Sequence, residues 1–415
     1  MSKISIPSVM FLSDMCLLDR NSGAAIEMCD WLKMLAVNGF AVSSASMSLF
    51  DGQEEYPFKM EIAPGIEPIQ HVGKRIRVHK DGIEHNIFNV GTSVSRKVSP
   101  ELITGFVASA AEDIRRLKPD VVIGYGSRNL SPLRRLAKEF GARTVFYLAN
   151  DSYTEDKRSC FDEIDEIVTP SIALSSLYQE RLGLSSHVIG NFLPDFSDVP
   201  KPTSSEIELR RRAGIVTIVN PSLAKGGLFF MQIAAVLEQM HPNITLVAIE
   251  SRILREHMEN YVNNASRLSN IWWLQRQSDM HRVYRHSSLL LMPSLWFEAA
   301  GRIVPEAQMH GVPVLAHRVG ALPEQLGNGG ELIDVPDRFS EKYEELPTTL
   351  EVMPWVRAIS RSLSSATRYQ ALSRRAFASA RCHEPSLRAE HIRNFFGSLI
   401  SSNKVVVKSS VEETL

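Results

Sequence analysis

Cysteine is scarce in this chain, four residues in 415, at positions 16, 29, 160 and 382. They form no C-x-x-C pair and no spacing that suits a metal, so neither a disulfide framework nor a cysteine zinc site organises the fold. Reduced, buried thiols in a cytosolic protein are expected. No apolar run approaches the ~20 residues that a helix needs to cross a bilayer. Charge of one sign is not in excess either, since 46 Lys and Arg stand against 47 Asp and Glu. A global basic field that would recruit nucleic acid is therefore absent. The N-terminal stretch MSKISIPSVMFLSDM is apolar but interrupted by polar residues, and no small-residue cleavage site follows. It reads as a first strand, not a signal peptide.

What is present is an ordinary globular composition, 44% apolar and 22% charged, in a chain too long for one core. Two domains are the expectation. The first is a parallel α/β domain. A strand over Ile4–Leu12 leads through a polar loop with Ser22 and Gly23 into a helix from about Ala24 to Gly39, and a strand over Phe40–Ser44 follows. Residues 46–97 pattern poorly, although Arg75–Val90 alternates around Asp81-Gly82 and suggests an antiparallel hairpin. Ser99-Pro100-Glu101 opens a helix. Strands over Val121–Ile123, Thr144–Leu148 and Glu166–Thr169 alternate with helical stretches.

Asn191–Ser205 holds three prolines and reads as a linker. A second alternation then begins. Ile215–Val219 is a strand, Gly227–Met240 a helix, Ile244–Ile249 a strand, a polar helix spans about 254–266, and Ile271–Trp273 is a strand. Residues 351–382 read as helical, and Leu387, Ile392, Phe395, Phe396 and Leu399 mark a last amphipathic helix. The expected fold is therefore α/β, two doubly wound parallel-sheet domains of Rossmann type facing a central cleft. The boundaries are 1–195 for the first domain, with a helix at about 384–402 returning to it, 206–383 for the second, and 403–415 as a flexible tail.

The stretch Pro293–Asp334 organises the second domain. Leu289–Met292 reads as a buried parallel strand. Glu298 and Glu306, eight positions apart, follow across Ala299-Ala300-Gly301 and a helix start. Gly311 ends that helix, Val312–Ala316 is the next strand, and Gly320, Gly327, Gly329 and Gly330 punctuate a loop. Polar groups thus gather at the carboxyl end of a parallel strand, where open α/β sheets bind ligands.

These residues carry a resemblance. Two doubly wound domains, Asn220–Gly227 (NPSLAKGG), and S-x-W-x-E-A-x-G-R-x-x-x-E-A from Ser294, followed by G-V-P-V and G-x-L-P-E, resemble the retaining, nucleotide-sugar-dependent glycosyltransferases of GT-B fold, family 4. The resemblance covers most of the chain and is weakest over residues 46–97. It implies transfer of a sugar from a nucleoside-diphosphate sugar to an acceptor hydroxyl, with retention, in glycan or glycoconjugate biosynthesis. Glu298 and Lys225 are the implied catalytic residues, Glu298 at the donor sugar and Lys225 at its phosphates. Glu306 fits a ribose diol, because one carboxylate can accept from two hydroxyls. Gly301, Arg302 and Ile303 offer N–H groups and a helix start to the diphosphate, and Gly226 and Asn220 complete the donor set. Many relatives place an arginine near Asn220, and this chain has none between Arg212 and Lys225, so Arg302 is the candidate substitute.

Acceptor-side candidates are Ser22, Gly23, Asn150 and Asp151. The histidine that many relatives carry after the strand matched here by Val145–Leu148 is absent, and His310 and His317 read as surface or supporting groups. No cofactor and no metal are expected, consistent with the lack of a D-x-D in a strand-end loop. The expected partners are the donor and a glycan, lipid-linked or small-molecule acceptor. The expected location is cytoplasmic, with peripheral membrane contact open through Arg134, Arg135 and Lys138. Two alternatives stay open: a nucleotide-sugar epimerase or sugar phosphorylase of the same fold, and a catalytically silent donor-binding subunit.

Overall fold

A computed structural model describes residues 6–51, 71–251, 255–259, 261, 268–277 and 279–412. The chain divides into two compact units, Met1–Pro170 with Ser175–Phe192 and Ser386–Leu415, and Ser171–Leu174 with Leu193–Pro385.

The first unit contains β1 (Ser8–Ser13), β2 (Ala41–Met47), β3 (Arg75–Lys80), β4 (Ile83–Phe88), β5 (Val121–Gly124), β6 (Arg143–Tyr147), β7 (Glu166–Thr169) and β8 (His187–Val188). They form one sheet in the order β3-β4-β2-β1-β5-β6-β7-β8. Both faces are covered, as the unbroken apolar runs demand of parallel strands. Val9, Phe11, Ile123 and Val145 pack with Met28, Trp31 and Leu35 on one face, and Met10, Leu12 and Val122 pack with Phe106 and Ile114 on the other. Ile392, Phe396, Leu399 and Ile400 complete the first of these cores. They come from the final helix Pro385–Glu412, and each such side chain contributes about 1.5–3 kcal/mol. The hairpin around Asp81-Gly82 is antiparallel, yet β4 then pairs parallel with β2 and so extends the sheet. Residues 52–70 of the poorly patterned stretch lie outside the described residues.

The second unit contains β9 (Ile215–Val219), β10 (Thr245–Ile249), β11 (Ile271–Leu274), β12 (Leu289–Met292), β13 (Val314–His317) and β14 (Gly330–Ile333). All pair parallel, in the order β11-β10-β9-β12-β13-β14. The chain builds outward from β9 in one direction and from β12 in the other, so these two adjacent strands flank the switch point. Phe229, Phe230, Leu237, Trp355 and Ile359 cover one face, and Tyr284, Val304, Leu322 and Leu326 the other.

Several features depart from the sequence reading. The stretch read as linker is partly core, because Leu193, Phe196 and Val199 are buried together with Met309 and Ala380. A helix, Ser204–Ala213, begins inside that stretch behind a capping box of Thr203 and Glu206. The glycine-punctuated loop contains the short helix Leu322–Leu326 and the strand β14. The polar helix is described over Arg255–Glu259, and much of its remaining span lies outside the described residues. The final helix continues through Glu412 in backbone. Cys16 and Cys160 are buried as expected, but Cys382 is exposed.

Of the three basic side chains on the helix Ser131–Glu139, one is buried and two are paired with carboxylates. Arg134 is buried and donates to the Cys160 carbonyl at 2.6 Å. Arg135 pairs with Glu163 at 3.0 Å and Lys138 with Asp165 at 3.0 Å. Among the described residues no helix is long and apolar enough to cross a membrane.

Candidate functional site

The loops that leave β9 and β12 lock onto one another in the second unit. After β9 the backbone turns at Asn220, whose φ is +54°, and Ser222 accepts the turn bonds that close the loop at Lys225 and Gly227. After β12, Leu295 and Trp296 donate their N–H groups to the Ala224 carbonyl at 2.9 and 3.2 Å. Gly226 has φ +76°, and a Cβ there would sit 2.0 Å from the Pro293 carbonyl oxygen. Only glycine permits this contact between the loops.

That contact brings together two residues 73 positions apart in sequence. Lys225 Nζ lies 2.5 Å from Glu298 Oε1. The Ser294 hydroxyl donates to the same oxygen at 2.6 Å. Glu298 is nearly buried, its side chain 7% exposed, whereas Lys225 keeps 30% exposure. A carboxylate this far from water needs such charge-assisted donors. The ammonium has three donors and spends one here. The backbone of Glu298 is fixed as well, its carbonyl accepting from Ala321 N–H at 2.7 Å. Gly320 passes so close that a Cβ would lie 2.4 Å from that carbonyl oxygen.

Glu306 occupies a second cluster. Its Oε1 accepts from Arg302 Nε at 2.9 Å and its Oε2 from the Tyr284 hydroxyl at 3.1 Å. Each carboxylate oxygen retains accepting capacity beyond one bond. Tyr284 is fully buried, and burial together with the Glu306 charge holds its phenol well above its ordinary pKa, so it stays a donor. Arg302 is turned toward Glu306 with only 13% exposure. The helix carrying Glu306, Ile303–Gln308, is six residues long, so a helix dipole adds little beyond the local N–H groups of Gly301, Arg302 and Ile303. Asn220 Oδ1 is buried and has no hydrogen-bond partner among the described residues.

In the first unit, Ser22 precedes the helix Gly23–Val37 without a side-chain cap bond, and a Cβ at Gly23 would meet no atom within 4 Å. Asn150 and Asp151 follow β6. Asn150 Oδ1 closes a local turn, accepting from the Ser152 N–H at 3.0 Å and its hydroxyl at 2.6 Å. These two pairs follow strands separated by β5, and the Asn150 and Asp151 carbonyls accept from Tyr178 and Arg181 of the helix Ile172–Leu182 at 2.8 and 2.6 Å.

Sequence reasoning assigned no role to Ser294 or Tyr284. Ser294 was visible as the first residue of the S-x-W-x-E pattern, whereas Tyr284 carried no signal. His310 is not a surface group. It is 4% exposed, and His281 Nδ1 lies 3.0 Å from its Nε2. Burial foremost, then the neighbouring His281, Arg285 and Arg210, push its pKa down to about 3. An unfolded histidine titrates near 6.5. The folded protein thus binds fewer protons than the unfolded chain between these values. Its stability is full above about pH 6.5 and declines as the pH falls toward 3. Urea midpoints measured at pH 7.5 and pH 5 are expected to show the lower value at pH 5.

Residues 221–348 match the family model "Glycosyl transferases group 1". The spore coat protein SA of Bacillus subtilis (strain 168) is 24% identical over 241 residues, which cover 50% of this chain and 64% of that protein, under two thirds of its length. Among solved structures, Anabaena HepE in complex with UDP and glucose superposes with a TM-score of 0.65 at 16% identity, covering 96% of this chain and all of that one. Sucrose-phosphate synthase from Thermosynechococcus elongatus gives 0.70 at 14% identity, covering 95% of this chain and 100% of that one. Such likenesses establish the fold, and the matched segment spans both clustered glutamates and Lys225. Residues 221–348 therefore match the glycosyl transferases group 1 family model, within a chain that shares the GT-B fold of these solved structures.

Proposed function

We propose that the chain transfers a sugar from a nucleoside-diphosphate sugar to an acceptor hydroxyl with retention of configuration, without a metal, as in family 4. The observation that carries this reading is the Lys225–Glu298 contact at 2.5 Å. It sits at the switch point of a parallel sheet, where such sheets bind ligands, inside the matched segment.

In this reading Lys225 turns its remaining donors to the donor phosphates, assisted by Arg302 and by the N–H groups of Gly301 and Ile303. Gly226 lets the β9 loop approach, and Asn220 Oδ1 accepts a donor hydroxyl. Glu306, oriented by Arg302 and Tyr284, takes the ribose diol. Glu298 stabilises the positive charge that develops on the sugar as its bond to phosphate breaks. The acceptor hydroxyl attacks from the face the diphosphate leaves, and its proton passes to the departing phosphate oxygen. Catalysis is then electrostatic preorganisation and positioning. On the acceptor side, Ser22, Gly23, Asn150 and Asp151 are the proposed contacts. Gly23 supports this, because among the described residues no packing contact requires a glycine there. The acceptor class is a glycan, a lipid-linked sugar or a small molecule.

Melting curves with a panel of nucleoside diphosphates test the donor half. One of them is expected to raise the Tm, because a ligand at 100 times its Kd adds about 2.7 kcal/mol to the folded state. UDP is the first to try, since the Anabaena HepE structure holds it. Lack of a shift with every nucleotide would overturn the reading.

A further inference from the structure

One half-buried group beside Glu298 takes no part in the reaction just proposed. His317 ends β13, next to β12 in the sheet, and its Nδ1 lies 2.7 Å from the Ser294 carbonyl oxygen. A carbonyl only accepts, so Nδ1 must carry the proton. The Ser294 hydroxyl in turn donates to Glu298 Oε1 at 2.6 Å, where Lys225 also converges. Glu298 follows Ser294 by four residues through a loop that is neither helix nor strand. The β12 loop therefore owes its shape to what grips it from outside. From the β9 side the grip is Ala224 and Gly226, and from the β13 side it is His317 and Gly320.

We infer that His317 is a positioning residue: its Nδ1–H fixes the Ser294 carbonyl, and the loop so held keeps the Ser294 hydroxyl on Glu298 Oε1, orienting the carboxylate toward the donor sugar. The inference rests on the proposed transferase reading but names a residue that reading does not use. Burial also lowers the His317 pKa, which keeps the ring neutral and Nδ1–H its single donor at neutral pH.

The test combines two variants with one spectroscopic readout. His317→Ala is expected to lower kcat about tenfold while the dissociation constant for the donor nucleotide changes less than about twofold. His317→Asn places an amide N–H where Nδ1–H stood and is expected to recover most of that loss. A folded His317→Ala protein with unchanged kcat overturns the inference, as does a His317→Asn protein no better than His317→Ala. Imidazole 15N spectra of the wild-type protein at pH 7.5 are expected to show the Nδ1–H tautomer for His317, and an Nε2–H tautomer or an imidazolium overturns the inference without reference to activity. The two levels separate cleanly. No transfer by the wild-type protein with any donor sinks the transferase reading, whereas turnover lost in Glu298→Gln but intact in His317→Ala sinks only the role of His317.

Discussion

Glu298→Gln is expected to lower kcat by about 10²–10³, the scale on which a single preorganised electrostatic group acts in a transition state. The substitution is nearly isosteric, and an amide oxygen can still accept from Ser294 and Lys225, so the loop should keep its shape. What disappears is the negative charge that, in the proposed reaction, faces the sugar as its bond to phosphate lengthens. Donor affinity should stay within a few-fold, because in the proposed reading ground-state binding rests on Glu306, Lys225 and the loop backbone. Initial rates with donor and acceptor, together with a nucleotide titration, read the two quantities separately. Parallel losses in kcat and in binding would mean that Glu298 anchors the donor and does not serve the reaction step.

Gly226→Ala should have the largest effect on stability. The position combines a left-handed φ of +76° with a Cβ site 2.0 Å from a backbone carbonyl oxygen. Backbone strain and overpacking together put the cost at about 3 kcal/mol. Across a unit of this size that lowers the Tm by about 6–12 °C. The oxygen in the way belongs to Pro293, one residue before Ser294, so relief of the clash must pull the β9 and β12 loops apart. Lys225 and Glu298 should separate with them. Nucleotide-dependent stabilisation should therefore weaken even at temperatures where the variant is folded. A melting curve with and without nucleotide decides the point, and an unchanged Tm would refute the contact.

The parts of the fold legible in the sequence were those whose signal is local. Ile215–Val219 and Leu289–Met292 are short apolar runs between polar turns, and they are strands over those residues. The helix Gly227–Met240 begins at the second of two glycines and runs to the residue expected. Elements that failed to register depend on tertiary partners. β14 starts at Gly330 and carries Glu331, a poor strand signal alone, and it is a strand because β13 pairs with it. Leu322–Leu326 is too short for any helical period to show. The helix Ser204–Ala213 did carry a signal, Thr203 three residues before Glu206, which the nearby prolines outweighed.

The site divides in the same way. Glu298 and Glu306 stood out only because a family pattern surrounded them, since two carboxylates at that spacing carry no chemistry alone. The approach of Lys225 to Glu298 depends on β9 and β12 being neighbours, a fact of sheet order and not of local pattern. Tyr284 reaches Glu306 from a helix 22 positions earlier, and no periodicity links them. His310 looked like a polar residue at a helix end. It is buried because the helices around it close over the ring, and Arg210 holds its carbonyl at 2.6 Å.

The division of the chain into units also governs the order in which it can mature during synthesis. Apart from Ser171–Leu174, the second unit lies between Phe192 and Ser386 of the first, so Leu193–Pro385 leaves the ribosome as one continuous block. The first unit must wait. Its core needs Ile392, Phe396, Leu399 and Ile400, which emerge only after all of Leu193–Pro385 has been made. Until then the core around Val9, Trp31 and Val145 has no cover from this helix. At the ~5–20 residues per second of translation, that interval lasts about ten seconds or more. A nascent chain stalled before the last helix should therefore hold a folded second unit beside an unfinished first one, exposing apolar surface that chaperones recognise.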